Sequence, residues 1–183
     1  IGRSGSGKTN TVVNLLKYLF FDTFYLYAKD LEEPYCQLLQ NVFDDEKIRG
    51  QSYFSSDIED IVDVDELDRD KQNLIVVDDF VTEKDQKKLI DLAIRGRKMN
   101  ASMIYITQDW YRVPKSIRLQ CNYISIFPSC DGNDISLIFR EKGLDKKLRE
   151  YYENNIKSFD CLTVDFKTPE MKYRKNFTPI NDI

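Results

Sequence analysis

The stretch Ile1-Gly2-Arg3-Ser4-Gly5-Ser6-Gly7-Lys8-Thr9-Asn10-Thr11 decides how the rest of the chain is read. From Gly2 to Thr9 it fits G-x-x-x-x-G-K-[ST] at every fixed position, the spacing of a nucleotide-binding P-loop. Glycines in such a loop permit backbone angles closed to residues with a Cβ, so successive amide N–H groups turn inward around phosphate oxygens. The residues expected to line the nucleotide are Gly2, Ser4, Gly5, Ser6, Gly7, Lys8, Thr9 and Asn10. Lys8 reaches the β- and γ-phosphates of the nucleotide, and Thr9 ligates Mg²⁺ while opening a helix whose positive end faces the anion. Only Ile1 precedes Gly2, so the strand that leads into such a loop is missing and the expectation is an N-terminally truncated chain.

The chain has 183 residues, 42% of them hydrophobic and 13% aromatic, which suits one α/β domain over residues 1–183 and argues against disorder. No apolar run approaches the roughly 18 residues of a membrane span, and no signal peptide is visible. The four cysteines, Cys36, Cys121, Cys130 and Cys161, form no C-x-x-C, and there is no histidine, which removes the usual zinc and histidine-based arrangements. Cys121 sits in an apolar run and reads as core. The net charge of −4 does not mark a nucleic-acid binder by bulk. It is unevenly spread: residues 44–70 are rich in acids, whereas 84–118 hold Lys84, Lys87, Lys88, Arg95, Arg97, Lys98, Arg112, Lys115 and Arg118. The bland reading of Lys84, Lys87 and Lys88 is a solvated helix face.

Apolar runs alternate with stretches of helix length, the pattern of a parallel sheet covered by helices. Strands are expected at 23–28, 73–80, 102–108, 122–127 and 159–166, and helices near 9–20, 30–42, 83–98, 114–120, 132–142 and 145–156. The acidic stretch 57–70 reads as a surface helix and loop.

A second chemical mark follows the loop. "LIVVDDF" (74–80) carries four apolar residues that end in Asp78 and Asp79, a Walker B pattern. A buried strand there delivers both carboxylates to its C-terminal edge. Asp78 is expected to hold Mg²⁺ and Asp79 to orient or deprotonate the attacking water. Many such ATPases have Glu in place of Asp79, one methylene longer, so Asp79 needs a backbone that brings it closer. A third mark is "MIYITQ" (103–108), an apolar strand closed by Thr107 and Gln108; with this strand between the P-loop and Walker B strands, Gln108 points toward the γ-phosphate and reports its hydrolysis. Arg95, Arg97 and Arg118 are candidates for the cation that phosphoryl transfer draws from a neighbouring subunit, Arg97 and Arg95 ahead of Arg118.

Together, "GRSGSGKTNT", "YAKDLEEPYCQLL", "LIVVDDF", "RGRKMNASMIYITQDWYRVPKSIRLQCNYISIF" and "LTVDFKTPEMKYRKNF" resemble the DNA-packaging ATPases of the FtsK-HerA superfamily. The resemblance is to the branch of poxviruses, other nucleocytoplasmic large DNA viruses, virophages and Polinton-like elements, and the segment from Arg95 to Phe127 is its most specific part. It implies a RecA-like ASCE fold: a mainly parallel sheet, order 5-1-4-3-2, with helices on both faces. It also implies a homo-oligomeric ring that uses ATP and Mg²⁺ to drive double-stranded DNA into a capsid at its portal vertex. The setting implied is the host cytoplasm, in the virus factory, or the virion.

Two alternatives stand beside this. One is another P-loop class, but "NNIKSFD" lacks the N-K-x-D of GTPases and a small kinase does not need the doubled Walker B acid. The other is a subunit that binds nucleotide without turnover, or a decayed viral remnant.

Overall fold

The computed structural model describes residues 1–44, 50–128, 130–168 and 172–181. Residues 45–49 of the acid-rich segment and 169–171 of the closing stretch lie outside the described residues. In chain order the elements are α1 (Lys8–Leu16), β1 (Thr23–Ala28), α2 (Pro34–Phe43), β2 (Gln51–Ser55), β3 (Asn73–Asp78), α3 (Lys87–Arg95), β4 (Ala101–Ile106), α4 (Lys115–Gln120), β5 (Tyr123–Ile126), α5 (Gly132–Lys142), α6 (Lys146–Asn155), β6 (Leu162–Asp165), β7 (Lys172–Lys175) and β8 (Thr178–Ile180). They group into two compact units, one of residues 9–107 and 114–120, the other of residues 1–8, 108–113 and 121 onward.

The first unit is built on a parallel sheet, order β2-β1-β3-β4. Its registers set Ala28, Asp78 and Ile106 abreast at the C-terminal edge. With neighbours on both sides, β3 buries Leu74, Ile75, Val76 and Val77 almost completely. That explains a run without polar alternation. An aromatic cluster fills one side of this sheet, with Phe24 stacked on Phe43 at 4.6 Å and Phe21 and Phe54 closing around them. The strand is anchored at its start by the buried Asn73, whose Nδ2 donates to the carbonyls of Asp68, Lys71 and Met99 at 2.9, 3.0 and 3.1 Å.

The second unit carries an antiparallel sheet, order β5-β6-β7-β8. Ile126, Ile138, Leu148, Leu162 and Val164 form the centre of its core. Its helices start where local chemistry dictates. The Asp131 side chain accepts from Asn133 N–H to cap α5, and Asp145 accepts from Leu148 N–H to cap α6, each at 2.8 Å. Gly143 ends α5 with φ +63.

Several expectations need correction. The acidic stretch 57–70 forms turns and a single 3₁₀ turn, Val64–Glu66, held by a capping box between Asp63 and Glu66. The half-exposed edge strand β2 and the charged hairpin β7–β8 were not expected as strands. The strands β5 and β6, expected in a parallel sheet, pair antiparallel. The order 5-1-4-3-2 is not confirmed, since the described strands divide between two sheets, with β1, β3 and β4 side by side in the first.

Candidate functional site

The loop at the head of the chain is held from within the second unit. Ile1 pairs along the end of β5: its amino group donates to the carbonyl of Ser125 at 2.7 Å, and Phe127 N–H donates to the carbonyl of Ile1 at 2.9 Å. The chain passes Phe127 so closely that a Cβ on Gly2 would lie 2.7 Å from Phe127 Cβ and 2.9 Å from Ser6 Oγ. No other residue fits at position 2. Gly7 takes φ +97, open to glycine alone at little cost.

Inside the loop, Ser6 Oγ is buried with no hydrogen-bond partner among the described residues. A polar atom kept so is costly unless something accepts it. Lys8 folds back over the loop, its Nζ donating to the carbonyls of Gly2 at 2.6 Å and Arg3 at 2.8 Å. Gln108 meets the loop directly, as its Oε1 accepts from Ser4 N–H at 3.2 Å. Gln108 is in turn steadied by the segment that follows it. The buried Asp134 carboxylate accepts from the backbone N–H of Trp110 and of Tyr111, both at 3.1 Å, and Trp110 Nε1 donates to Glu141 at 3.3 Å. Thr9 and Asn10 occupy the first turn of α1, where unpaired amides and the helix dipole favour an anion.

The carboxylates stand in the first unit. Asp78 closes β3, half-buried, and a carboxylate oxygen accepts from the Tyr35 hydroxyl at 2.5 Å. Burial and then the Asp78 charge push the Tyr35 phenol well above its ordinary range, so it stays a donor. Asp79 leaves the strand with φ +60, and its N–H donates to the carbonyl of Ile106 at 3.2 Å. Aspartate is among the few residues with a side chain that enter the left-handed region readily. Tyr105, whose phenol is pushed up by burial and then by the Asp79 charge, donates to Gln86 at 3.3 Å.

On the same edge Lys29 pairs with Glu83 and sits 4.7 Å over the Phe80 ring. Oxygen donors of this kind suit Mg²⁺, a hard cation held by one or two carboxylates together with phosphate. Among the described residues no group of three or more His, Cys, Asp and Glu forms a metal cage of its own.

The arginines separate. Arg95 pairs with Asp65 on its own unit. Arg97 is exposed on the 3₁₀ turn Gly96–Met99, and Arg118 is buried on α4. Lys88, read as solvated, instead donates to the carbonyls of Glu59 and Ile61 at 2.6 and 2.8 Å. Sequence reasoning missed Tyr35, Trp110 and Asp134. Tyr35 and Trp110 lie in two of the stretches that carry the resemblance, "YAKDLEEPYCQLL" and the segment from Arg95 to Phe127, whereas nothing local marked Asp134.

Comparison with known proteins follows the same line. None of the curated proteins matches the chain. Among solved structures, the genome packaging NTPase B204 of Sulfolobus turreted icosahedral virus 2 in complex with ATP-gammaS is similar over 95% of this chain and 93% of its own, with a TM-score of 0.65 at 16% identity. Its complex with sulfate matches over 100% and 95%, at a TM-score of 0.66 and 15% identity. The DNA-packaging ATPase B204 of Sulfolobus turreted icosahedral virus matches over 98% and 95%, at a TM-score of 0.65 and 18% identity. At such identities the likeness speaks for the fold. The sequence profile of the poxvirus A32 protein matches residues 1–154, and the chain belongs to that family.

Proposed function

We propose that the chain is a P-loop ATPase domain, spanning residues 1–183, of a motor that drives double-stranded DNA into a viral capsid. The observation that carries this reading is the loop of residues 2–8, with its glycine-only approach to Phe127, its buried Ser6 hydroxyl, Lys8 folded over it and Gln108 bonded to its backbone. Family membership supports a role in genome packaging, and the similar packaging NTPase with ATP-gammaS supports nucleotide binding.

The roles follow from chemistry. Backbone amides of the loop bind phosphate oxygens, and Lys8, released from the carbonyls of Gly2 and Arg3, neutralises the β- and γ-phosphates. Asp78 and Thr9 hold Mg²⁺, which supplies charge neutralisation at the phosphates when bound. Asp79 orients the attacking water and takes its proton. Gln108 couples the state of the γ-phosphate to the loop through Ser4. Arg97, exposed, is the better candidate than Arg95 for an arginine donated to a neighbouring subunit in a homo-oligomeric ring. DNA, the ring and the capsid vertex are the partners, in the host cell or the virion. Among the described residues no helix is long and apolar enough to cross a membrane.

The test is ATP binding by calorimetry to the protein and to Lys8→Ala. The reading predicts binding that the substitution abolishes or weakens by orders of magnitude. Equal affinity in both would remove the loop from the site.

A further inference from the structure

Phe159 stands out on three counts. It is 72% exposed, although a phenylalanine side chain gains by burial. It takes φ +68, a conformation costly for a bulky residue. And it lies against the phosphate loop: a Cβ on Gly7 would come within 3.5 Å of Phe159 Cδ1 and 3.8 Å of its Cα.

The strained backbone is held in place by its neighbours. Phe159 is the third residue of a turn closed by Asp160 N–H donating to the carbonyl of Lys157 at 2.9 Å, a position where a positive φ calls for Gly or Asn. Asp160 fastens that turn from three sides. Its carboxylate accepts from Lys157 N–H at 3.2 Å, from Asn176 Nδ2 at 3.0 Å and from Lys175 Nζ at 2.9 Å. The Lys175 and Asn176 hydrogen bonds hold the Asp160 carboxyl below its ordinary range. Asn176 closes the arrangement by accepting from Cys161 N–H at 2.8 Å. Strain that is this firmly over-determined is found at ligand clamps, where it holds a side chain where packing alone would not leave it.

We propose that Phe159 is the platform on which the base of the bound nucleotide stacks. The inference rests on the P-loop reading above and adds to it the base, which the loop does not address. Amides and Lys8 take the phosphates; none of them recognises a ring. A flat apolar face exposed in contact with the loop offers a purine the stacking surface that other nucleic-acid-binding proteins make from aromatic side chains. Since every base has such a face, the platform gives affinity for a nucleoside without choosing adenine over guanine.

The test compares ATP with inorganic tripolyphosphate, both with magnesium, by calorimetry, alongside thermal unfolding. The variants are Phe159→Gly, which accepts the positive φ, and Phe159→Trp, which keeps an aromatic face. Stacking predicts that Phe159→Gly loses about tenfold or more in ATP affinity, leaves tripolyphosphate affinity unchanged, and melts no lower than the parent. Phe159→Trp should hold ATP affinity near the parent's. Equal losses for both ligands, or a lower melting temperature with ATP affinity intact, would make Phe159 a strut for Gly7 and overturn the proposal. A parent protein that binds neither ligand would overturn the P-loop reading, and the platform with it. Binding of tripolyphosphate with no added affinity for ATP would overturn the platform alone.

Discussion

The hydroxyl of Tyr35, on α2, donates a hydrogen bond to the carboxylate of Asp78, at the end of β3, across 2.5 Å. Asp78 is thereby fixed in orientation by a residue with no place in the Walker B pattern. Partners that orient a metal-binding carboxylate typically matter by about ten- to a hundredfold in metal affinity or activity. Tyr35→Phe should therefore raise the magnesium concentration needed for half-maximal ATP turnover by about that factor. Its cost in stability should stay near 1 kcal/mol, that of one hydrogen bond. A magnesium titration of turnover checks the first, and a denaturant melt the second. An unchanged magnesium dependence would reduce Tyr35 to a packing residue.

Asp79 offers a cleaner separation of binding from chemistry. Asn tolerates the left-handed backbone as Asp does, so Asp79→Asn should fold and bind ATP as before. It should slow turnover by about 10²- to 10⁴-fold, the usual worth of a positioned general base. Phosphate release and nucleotide affinity, measured on one preparation, decide it. Loss of binding instead would mean that the carboxylate serves structure.

The two arginines should behave differently. Arg95 pairs with the exposed Asp65, an interaction of small worth, so Arg95→Ala should change turnover and stability little. Arg97→Ala should depress turnover only in assemblies. Mixing it with Asp79→Asn subunits should restore part of the rate, since each defect then lies on a different side of an interface. Absence of rescue would put Arg97 in the site of its own subunit.

Much of this was legible in the residues. The loop of residues 2–9, Asp78 at the end of β3, Asp79 after it and Gln108 were named from local spacing alone, and β3 announced itself because the middle of a central parallel strand, Leu74 to Val77, is apolar on both faces. What stayed hidden depended on long-range contacts. Tyr35 reaches Asp78 from 43 residues away, and Asp134 reaches Trp110 from 24. β7 reads "KYRK" and gains its strand from pairing with β6 rather than from any pattern of its own. The helix expected in the acidic stretch failed because its aspartates bond nearby backbone N–H groups in turns, as Asp57 does with Glu59 and Asp63 with Asp65.

The cysteines give a pH prediction. Burial pushes the thiols of Cys36 and Cys130 up to about 11 from an ordinary 9.0. Because the folded values are raised, their contribution to stability is full below about pH 9 and is lost as pH rises toward about 11. The native protein should therefore resist iodoacetamide at pH 8 and lose stability through that alkaline window. Rapid alkylation of Cys36 or Cys130 in the folded state would contradict the burial on which this rests.

The most direct test of the whole account is phosphate release from ATP, with magnesium, measured with and without linear double-stranded DNA. Turnover should rise when DNA is added and disappear in Lys8→Ala. Bound ATP that is never hydrolysed, with or without DNA, would contradict it and leave a subunit that only holds nucleotide.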